Sequence, residues 1–450
     1  MKKIYALKNG ENTLNISVCS DKIIHLTYGK EPFKRKESVV IVPEIEALPQ
    51  VDVTYEENEN EYVIKTGYVT VTVEKANFDI RFFNKKDELM SRVSGNELVE
   101  YDVYRVVGGQ TRTRETVDGQ RETLDGGESQ YVRKSNHGKL RLCFSENEEL
   151  FGLGSHEEGY DSLKGHFVPL YQENMRIALP YLVSTKGYAY LFDCYSLATF
   201  DATNPRYGKM WFECLEYLDY YFIAGDGFDD ICRSYRALTG VTPMLPKWAV
   251  GYVQSKERYK TQDELIEVAG EYRRIGVPLD CIVQDWCTWT RGNWGYKHLR
   301  EDRYPDPKLL MDTLHGMNVH MLLSIWQNMR GETPDRLEFI AAGKMLADNS
   351  IYDAYDEEAR KIYWRQTNEG LFQYGIDGWW CDGSEPYDAV WQGAERAPLP
   401  ERMKQSVDEF KKYIDDSVIN TYSLHHTRTI YEGQRGTTNE KRVINTRDRI

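Results

Sequence analysis

From Met1 to about Thr242, apolar and polar residues alternate with a period of two, the signature of half-buried strands. The segment YVIKTGYVTVTVEK (Tyr62–Lys75) puts Val69, Val71 and Val73 on one face and Thr70 and Thr72 on the other, with Gly67 where a turn is needed. NFDIRFF follows as a further strand, and GKLRLCFS, KGYAYLFD and LDYYFIAG continue the series. The pattern predicts a large antiparallel β-sandwich over residues 1–242. Residues 108–129, rich in Gly, Thr, Arg and Glu, read as a mobile loop within it. The acidic run Asp226–Asp230 lacks the spacing of a calcium hand and reads as a helix N-terminus.

Past Pro243 and Pro246 the period changes, and strands alternate with helices. WAVGYVQS (248–255), LDCIVQDW (279–286), VHMLLSIW (319–326), IDGWWCD (376–382) and RVIN (442–445) read as five strands. Thr261 to Glu264 is a capping box that opens a helix through Arg274. Further helices are expected over about 307–315, 357–374 and 399–416. Strand–helix repeats with buried apolar strands imply parallel β/α units, either a barrel or an open sheet. A complete (β/α)8 barrel takes about 250 residues, and only about 205 follow Thr242. Residues 243–450 are therefore expected to form an incomplete (β/α)8 barrel.

Composition narrows the functional classes. The chain carries 57 Lys+Arg against 71 Asp+Glu, a formal charge of −14, with no dense basic block. Such a chain has no electrostatic reason to seek nucleic acid or anionic membrane. No stretch approaches the roughly 20 consecutive apolar residues of a membrane-spanning helix. The opening MKKIYALKNG loses its apolar run at Lys8, too early for a secretory signal. Eight scattered cysteines without a Cys-x-x-Cys pair argue against a zinc site or disulfide framework and fit reduced thiols in a cytoplasm.

In parallel β/α units chemistry collects at the carboxyl ends of the strands. Those ends carry Gln284-Asp285-Trp286, Trp326-Gln327-Asn328 and the run from Trp379 to Pro386. Three strands ending in Trp beside a polar group would build an aromatic-walled cup with acids at its base, suited to a sugar's apolar faces and hydroxyls. Singly, each Trp reads as core and each Asp as a helix cap; three in register favour a site. His425-His426 has no third ligand spaced with it and reads as structural, and Gly152-Leu-Gly154 opens no helix and so is no dinucleotide loop. A metal-dependent barrel hydrolase would need His at strand ends, whereas His320 lies near the start of its strand.

The block GIDGWWCDGSEP resembles the nucleophile signature of glycoside hydrolase family 31, in which an Asp follows the fourth barrel strand. FGLGSHEEG (151–159), LPYLVSTKGYAYLFD (179–193), PKWAVGYVQSKERYKT (246–261) and RYPDPKLLMDTLHGMNVHMLLSIWQNM (303–329) agree in order, so the resemblance covers nearly the whole chain. It implies a retaining mechanism on terminal α-linked sugars, in which one carboxylate attacks the anomeric carbon while a second protonates the leaving oxygen and then activates water. The nucleophile maps onto Asp382 and the substrate-binding acid onto Asp285. Trp326 and Trp380 map onto pocket walls, and Arg447 onto an arginine that binds sugar hydroxyls. Glu385 is read as orienting the loop rather than reacting. The family implies no metal and no organic cofactor. Its members are commonly oligomers, though nothing here marks an interface.

The chain departs from the family after Asn445-Thr446-Arg447: it reads TRDRI and stops at Ile450, before the Trp-x-Gly-Asp block that carries the family's acid/base. The resemblance then implies a truncated or frame-shifted product, weakly stable or inactive alone towards natural glycosides. Trp286, following Asp285 in a QDW-x-x-W pattern, is similar to the α-xylosidase branch, as is HEEG at 156–159. A bulky ring near the sugar's C6 would exclude a hydroxymethyl group and accept the bare C5 of xylose. An α-xyloside is expected ahead of an α-glucoside. Glycosyl transfer and a non-catalytic sugar-binding remnant stay open as alternatives.

Overall fold

The computed structural model describes residues 4–32, 37–116, 119–173, 176–346, 350–385 and 398–438. The chain divides into two compact units. The first comprises Met1–Gly108, Gly127–Thr242 and Ala397–Asn420; the second comprises Gly109–Gly126, Pro243–Arg396 and Thr421–Ile450.

The first unit is a β-sandwich. One sheet has seven antiparallel strands, running in space from Ile4–Asn9 through Asn12–Ser20, Ile23–Lys30, Leu218–Ala224, Tyr188–Phe192 and Ile177–Ser184 to Leu150–Ser155. The other has nine, from Phe167–Leu170 at one edge to Thr54–Glu57 at the other, with the long strands Leu89–Val107 and Glu128–Cys143 near its centre. The period-two reading holds where it was sharpest: Val69, Val71 and Val73 are fully buried while Thr70 and Thr72 lie on the opposite, partly exposed face. The two inner faces meet in a single core, with the rings of Phe82 and Phe222, one from each sheet, stacked at 3.9 Å. The acidic run at 226–230 does open a helix, Phe228–Thr239, whose first turn holds Asp229 and Asp230.

Two charge clusters, one buried and one half-buried, fix the segment 397–420 within this unit. Arg402, on helix Leu399–Phe410, reaches Glu173 at 3.1 Å, and both residues are at most 5% exposed. Arg133 donates two hydrogen bonds to Asp415, at 2.6 and 2.8 Å. The second pair is bidentate, the geometry in which a guanidinium binds a carboxylate most strongly.

The segment expected to be a loop at 108–129 is instead a hairpin. Gln110–Thr116 pairs antiparallel with Gly119–Asp125, and Glu128 already begins the next strand. Its Thr, Arg and Glu residues favour extended backbone without a one-sided apolar stripe, so no amphipathic signal announces it. The flanking glycines read as loop because they supply left-handed backbone, as at Gly109 (φ +106°).

In the second unit, four short strands form a parallel sheet in sequence order: Val253–Gln254, Cys281–Gln284, His320–Ser324 and Gly378–Trp380. The first is shorter than expected because Lys247–Val250 forms a 3-10 turn. The connecting helices are capped as their sequences dictate. Thr261 caps Gln262–Ile275, Asp306 caps Pro307–Gly316 and Asp356 caps Glu357–Gly370, each accepting a backbone N–H with its side chain. The helix expected over 399–416 ends at Phe410, and the one expected over 357–374 at Gly370, before a 3-10 turn. Pro334–Ala341 and Tyr422–Thr437 are additional helices. The expected strand at 442–445 and Arg447 lie outside the described residues.

Candidate active site

Successive strand residues must point to opposite faces, and the tandem tryptophans obey this. Trp379 is fully buried, packs against Trp364 and Phe372 and donates its indole N–H to Gln434 at 3.0 Å. Trp380 instead joins the small cluster of Cys281, Val283 and Leu322 on the other face, with Trp248 and Val253. Each residue just beyond the strands is therefore delivered with a defined orientation.

After Gln284 the backbone turns sharply. Trp286 (φ +47°) and Cys287 (φ +46°) both adopt left-handed conformations, which side chains other than Gly reach only at a cost. The turn swings Trp286 against Trp294 (centroids 5.5 Å, edge-on), and Trp294 in turn meets Trp326 edge-on at 5.1 Å and Trp289 at 5.8 Å. Arg258 covers the Trp286 ring at 5.0 Å. Two of the expected wall residues, Trp286 and Trp326, are thus brought together by a third, Trp294, which the sequence reading passed over. Trp294 stands in an irregular loop where no periodicity marks it; its neighbour Gly295, with φ +71° and a Cβ position 1.8 Å from the Asn328 carbonyl oxygen, is the one local clue.

Asp382 lies one residue beyond Cys381, where the last of the four strands turns away. Its Oδ1 accepts the Gly383 N–H at 2.9 Å. Gly383 is irreplaceable on steric grounds: φ is +58°, and a Cβ would fall 2.4 Å from the Trp326 ring. Gln327 donates to the Gly383 carbonyl, and Ser423 donates to the Ser384 carbonyl at 2.9 Å. On the other side Tyr363 donates to the Trp326 carbonyl at 2.8 Å, and the Ile325 N–H donates to the Trp380 carbonyl at 3.1 Å. The carboxylate and the tryptophan are therefore tied through backbone atoms rather than left to loop mobility. Glu385 beyond them is 5% exposed.

Asp285 is electrostatically coupled to Asp382. Burial pushes its carboxyl up to about 6, and the charge of Asp382 adds to the rise, followed by that of Glu257. Its Oδ1 is buried with no hydrogen-bond partner among the described residues. The same holds for Gln284 Oε1, Trp286 Nε1, Trp294 Nε1, Gln327 Oε1 and Asn328 Oδ1. Buried polar atoms are normally satisfied, so this concentration of unsatisfied donors and acceptors at the strand ends is chemically specific: it fits a polyhydroxylated ligand with apolar faces. His426, by contrast, is fully buried, bonded to the Tyr352 hydroxyl at 2.9 Å and held neutral by burial, which pulls it down to about 3.

Two family models match the chain: the glycosyl hydrolases family 31 TIM-barrel domain over residues 242–450 and the glycosyl hydrolase 31 N-terminal galactose mutarotase-like domain over 13–201. The chain belongs to glycoside hydrolase family 31. Among curated proteins it is similar to the α-xylosidase of Saccharolobus solfataricus, 36% identical over 312 residues, 67% of this chain and 42% of that protein. It thus spans about two fifths of the length of that relative. Among solved structures, a family 31 α-xylosidase from Xanthomonas citri superposes with a TM-score of 0.79 at 23% identity, covering 99% of this chain and 63% of that one. A family 31 α-xylosidase from a soil metagenome, complexed with xylose, gives 0.78 at 23%, covering 99% and 64%. The sandwich and the parallel β/α unit are the fold these members share, and the described strands make up the first part of the barrel.

Proposed function

We propose that the chain binds the terminal sugar of an α-glycoside at the carboxyl ends of its parallel strands and that Asp382 attacks the anomeric carbon with eventual retention of configuration. An Asp382 oxygen forms a bond to C1 as the bond from C1 to the leaving oxygen breaks, and the leaving oxygen takes the electron pair. Water later attacks the same carbon, the bond from C1 to Asp382 breaks with its electron pair returning to the carboxylate, and the sugar leaves as the hemiacetal with the surplus proton of the water lost to solvent. The observation that carries this reading is the group of unsatisfied buried polar atoms, Asp285 Oδ1 foremost, on the same strand-end segments that bring Trp286, Trp294 and Trp326 into contact. The indole faces would lie against the sugar's C–H faces, while the orphan donors and acceptors take its hydroxyls.

The preferred sugar is an α-xyloside. Trp286 is locked by its left-handed backbone, its contact with Trp294 and the covering Arg258, so it cannot swing aside for a hydroxymethyl group. The similarity to an α-xylosidase supports the same choice. A cytoplasmic setting is proposed on the eight free cysteines.

The test uses aryl α-xyloside and α-glucoside whose phenolate leaves without protonation, so that only the first step is probed. The chain is incubated with each, beside the Asp382→Asn variant, and intact mass is measured. A pentosyl adduct on the parent chain and none on the variant is the expected result. An adduct that survives Asp382→Asn would refute the nucleophile, and a hexosyl adduct in preference would refute the sugar.

A further inference from the structure

The opposite, amino-terminal end of the parallel sheet holds a second cluster of chemistry-bearing side chains. His315 closes helix Pro307–Gly316, His320 opens the third parallel strand, and Asp377 immediately precedes the fourth. His315 Nε2 lies 2.8 Å from Asp377 Oδ2, and His320 Nδ1 lies 3.2 Å from Asp377 Oδ1. The ligand-capable atoms of all three fall within 4.8 Å of one another.

We propose that His315, His320 and Asp377 bind a divalent transition-metal ion, zinc by preference, that staples the third and fourth strands and the preceding helix together. The donor set is two imidazoles and one carboxylate, which suits zinc and disfavours calcium or magnesium. Ligand atoms 2.0–2.2 Å from a tetrahedral ion stand about 3.3–3.5 Å apart, so the observed 3.2 Å between His320 and Asp377 needs little adjustment. His320 Nδ1 supports the reading independently. It is buried and makes no hydrogen bond, although a carboxylate oxygen stands beside it, which is a costly arrangement unless another group occupies that lone pair.

The surroundings are built as metal sites are built. Trp248 stacks on the His320 ring at 4.3 Å and fixes its plane. The Met321 N–H donates to Asp377 Oδ2 at 3.0 Å, which orients the carboxylate from outside. His315 is about one-third exposed, which provides an entry path and leaves the fourth position to water. The cluster lies at the end of the strands away from Asp382, the face that serves stability rather than catalysis in barrels of this kind. The ion would therefore be structural, and its role does not rest on the sugar chemistry proposed above. No local pattern marks the cluster, because its residues at 315, 320 and 377 are spread over the 62 positions between His315 and Asp377.

The test is a calorimetric titration of zinc chloride into the full chain, its thiols kept reduced, repeated on His315→Ala and Asp377→Asn. One saturable site per chain is expected, weakened about 100-fold or more in either variant, since losing even a supporting group around such an ion costs 10–100-fold. Zinc should also raise the thermal midpoint of the parent chain and leave that of His315→Ala unchanged. No saturable binding, or binding that both variants retain in full, would overturn the proposal. His315 is about one-third exposed at a helix end, so its variant decides the matter should Asp377→Asn fail to fold.

Discussion

Lys297 offers the sharpest test of the electrostatics of the barrel unit. It is 3% exposed, its ammonium lying 4.2 Å from the Tyr363 ring centroid and 3.3 Å from Met329 Sδ. Burial lowers its pKa from 10.5 to about 8, against the opposing charges of Asp335 and Glu338. At 1.36 kcal/mol per pH unit that displacement represents about 3 kcal/mol by which the native environment disfavours the charged form. The unfolded chain holds the proton up to about pH 10.5 and the native chain only to about pH 8, so between these values the unfolded state binds more protons. Native stability therefore rises with pH through that window, and the penalty is at its full value below pH 8. Replacing Lys297 with Met removes the penalty and forfeits a cation–π contact worth about 2 kcal/mol when desolvated. The net expectation is a gain of about 1 kcal/mol at pH 7 that shrinks towards zero by pH 10, where the native lysine is neutral and both effects are lost. Urea unfolding followed by tryptophan fluorescence is the assay, since nine of the ten tryptophans belong to the second unit. A Lys297→Met chain that is less stable at pH 7, or whose difference from the parent is the same at pH 7 and pH 10, would refute the reasoning.

Three further outcomes follow from the same geometry. Gly383→Ala places a Cβ against the Trp326 ring at a left-handed position, so it should cost about 1–3 kcal/mol of local strain and abolish adduct formation in the mass assay; an unimpaired rate would show that the Asp382 loop tolerates displacement. The carboxyl of Asp285 is raised to about 6 and hence neutral below that value, so the rate of adduct formation should climb through pH 6 and Asp285→Asn should lose that limb; a rate flat across pH 6 would remove Asp285 from sugar binding. Arg402→Met removes an arginine partner from the buried Glu173, which Arg176 also faces at 3.2 Å, and should destabilise the sandwich unit by about 3 kcal/mol, read as a drop in its circular-dichroism melting midpoint; an unchanged midpoint would mean that Arg402 is dispensable there.

What could be read from the sequence follows the physics of each signal. The sandwich core is legible because one-sided burial imprints a period of two, as in Val69, Val71 and Val73. The helix starts at Thr261 and Asp306 are legible because a capping side chain is a local, obligatory partner. The hairpin at 110–125 was not, since a ribbon without a one-sided apolar stripe leaves no such imprint. At the site, Asp285 and Trp326 could be placed because strand ends collect chemistry. Trp294 could not, because its role depends on loop closure onto Trp286 and Trp326, which no local pattern encodes. The His315–His320–Asp377 cluster escaped for the same reason: it exists only once a helix end and two strand starts are brought together.

The return of residues 397–420 to the sandwich unit has a consequence in time. Glu173 and Arg402 are 229 positions apart. A ribosome working at about 5–20 residues per second would need roughly 10–50 s to travel between them. Throughout that interval the emerging sandwich holds Glu173 without its Arg402 partner and Arg133 without Asp415, while the strands of the barrel unit are being made. The first unit to be synthesised is thus among the last to be completed. A chain cut at residue 242 would reproduce that waiting state permanently: a sandwich with both sheets present and two charged sockets open.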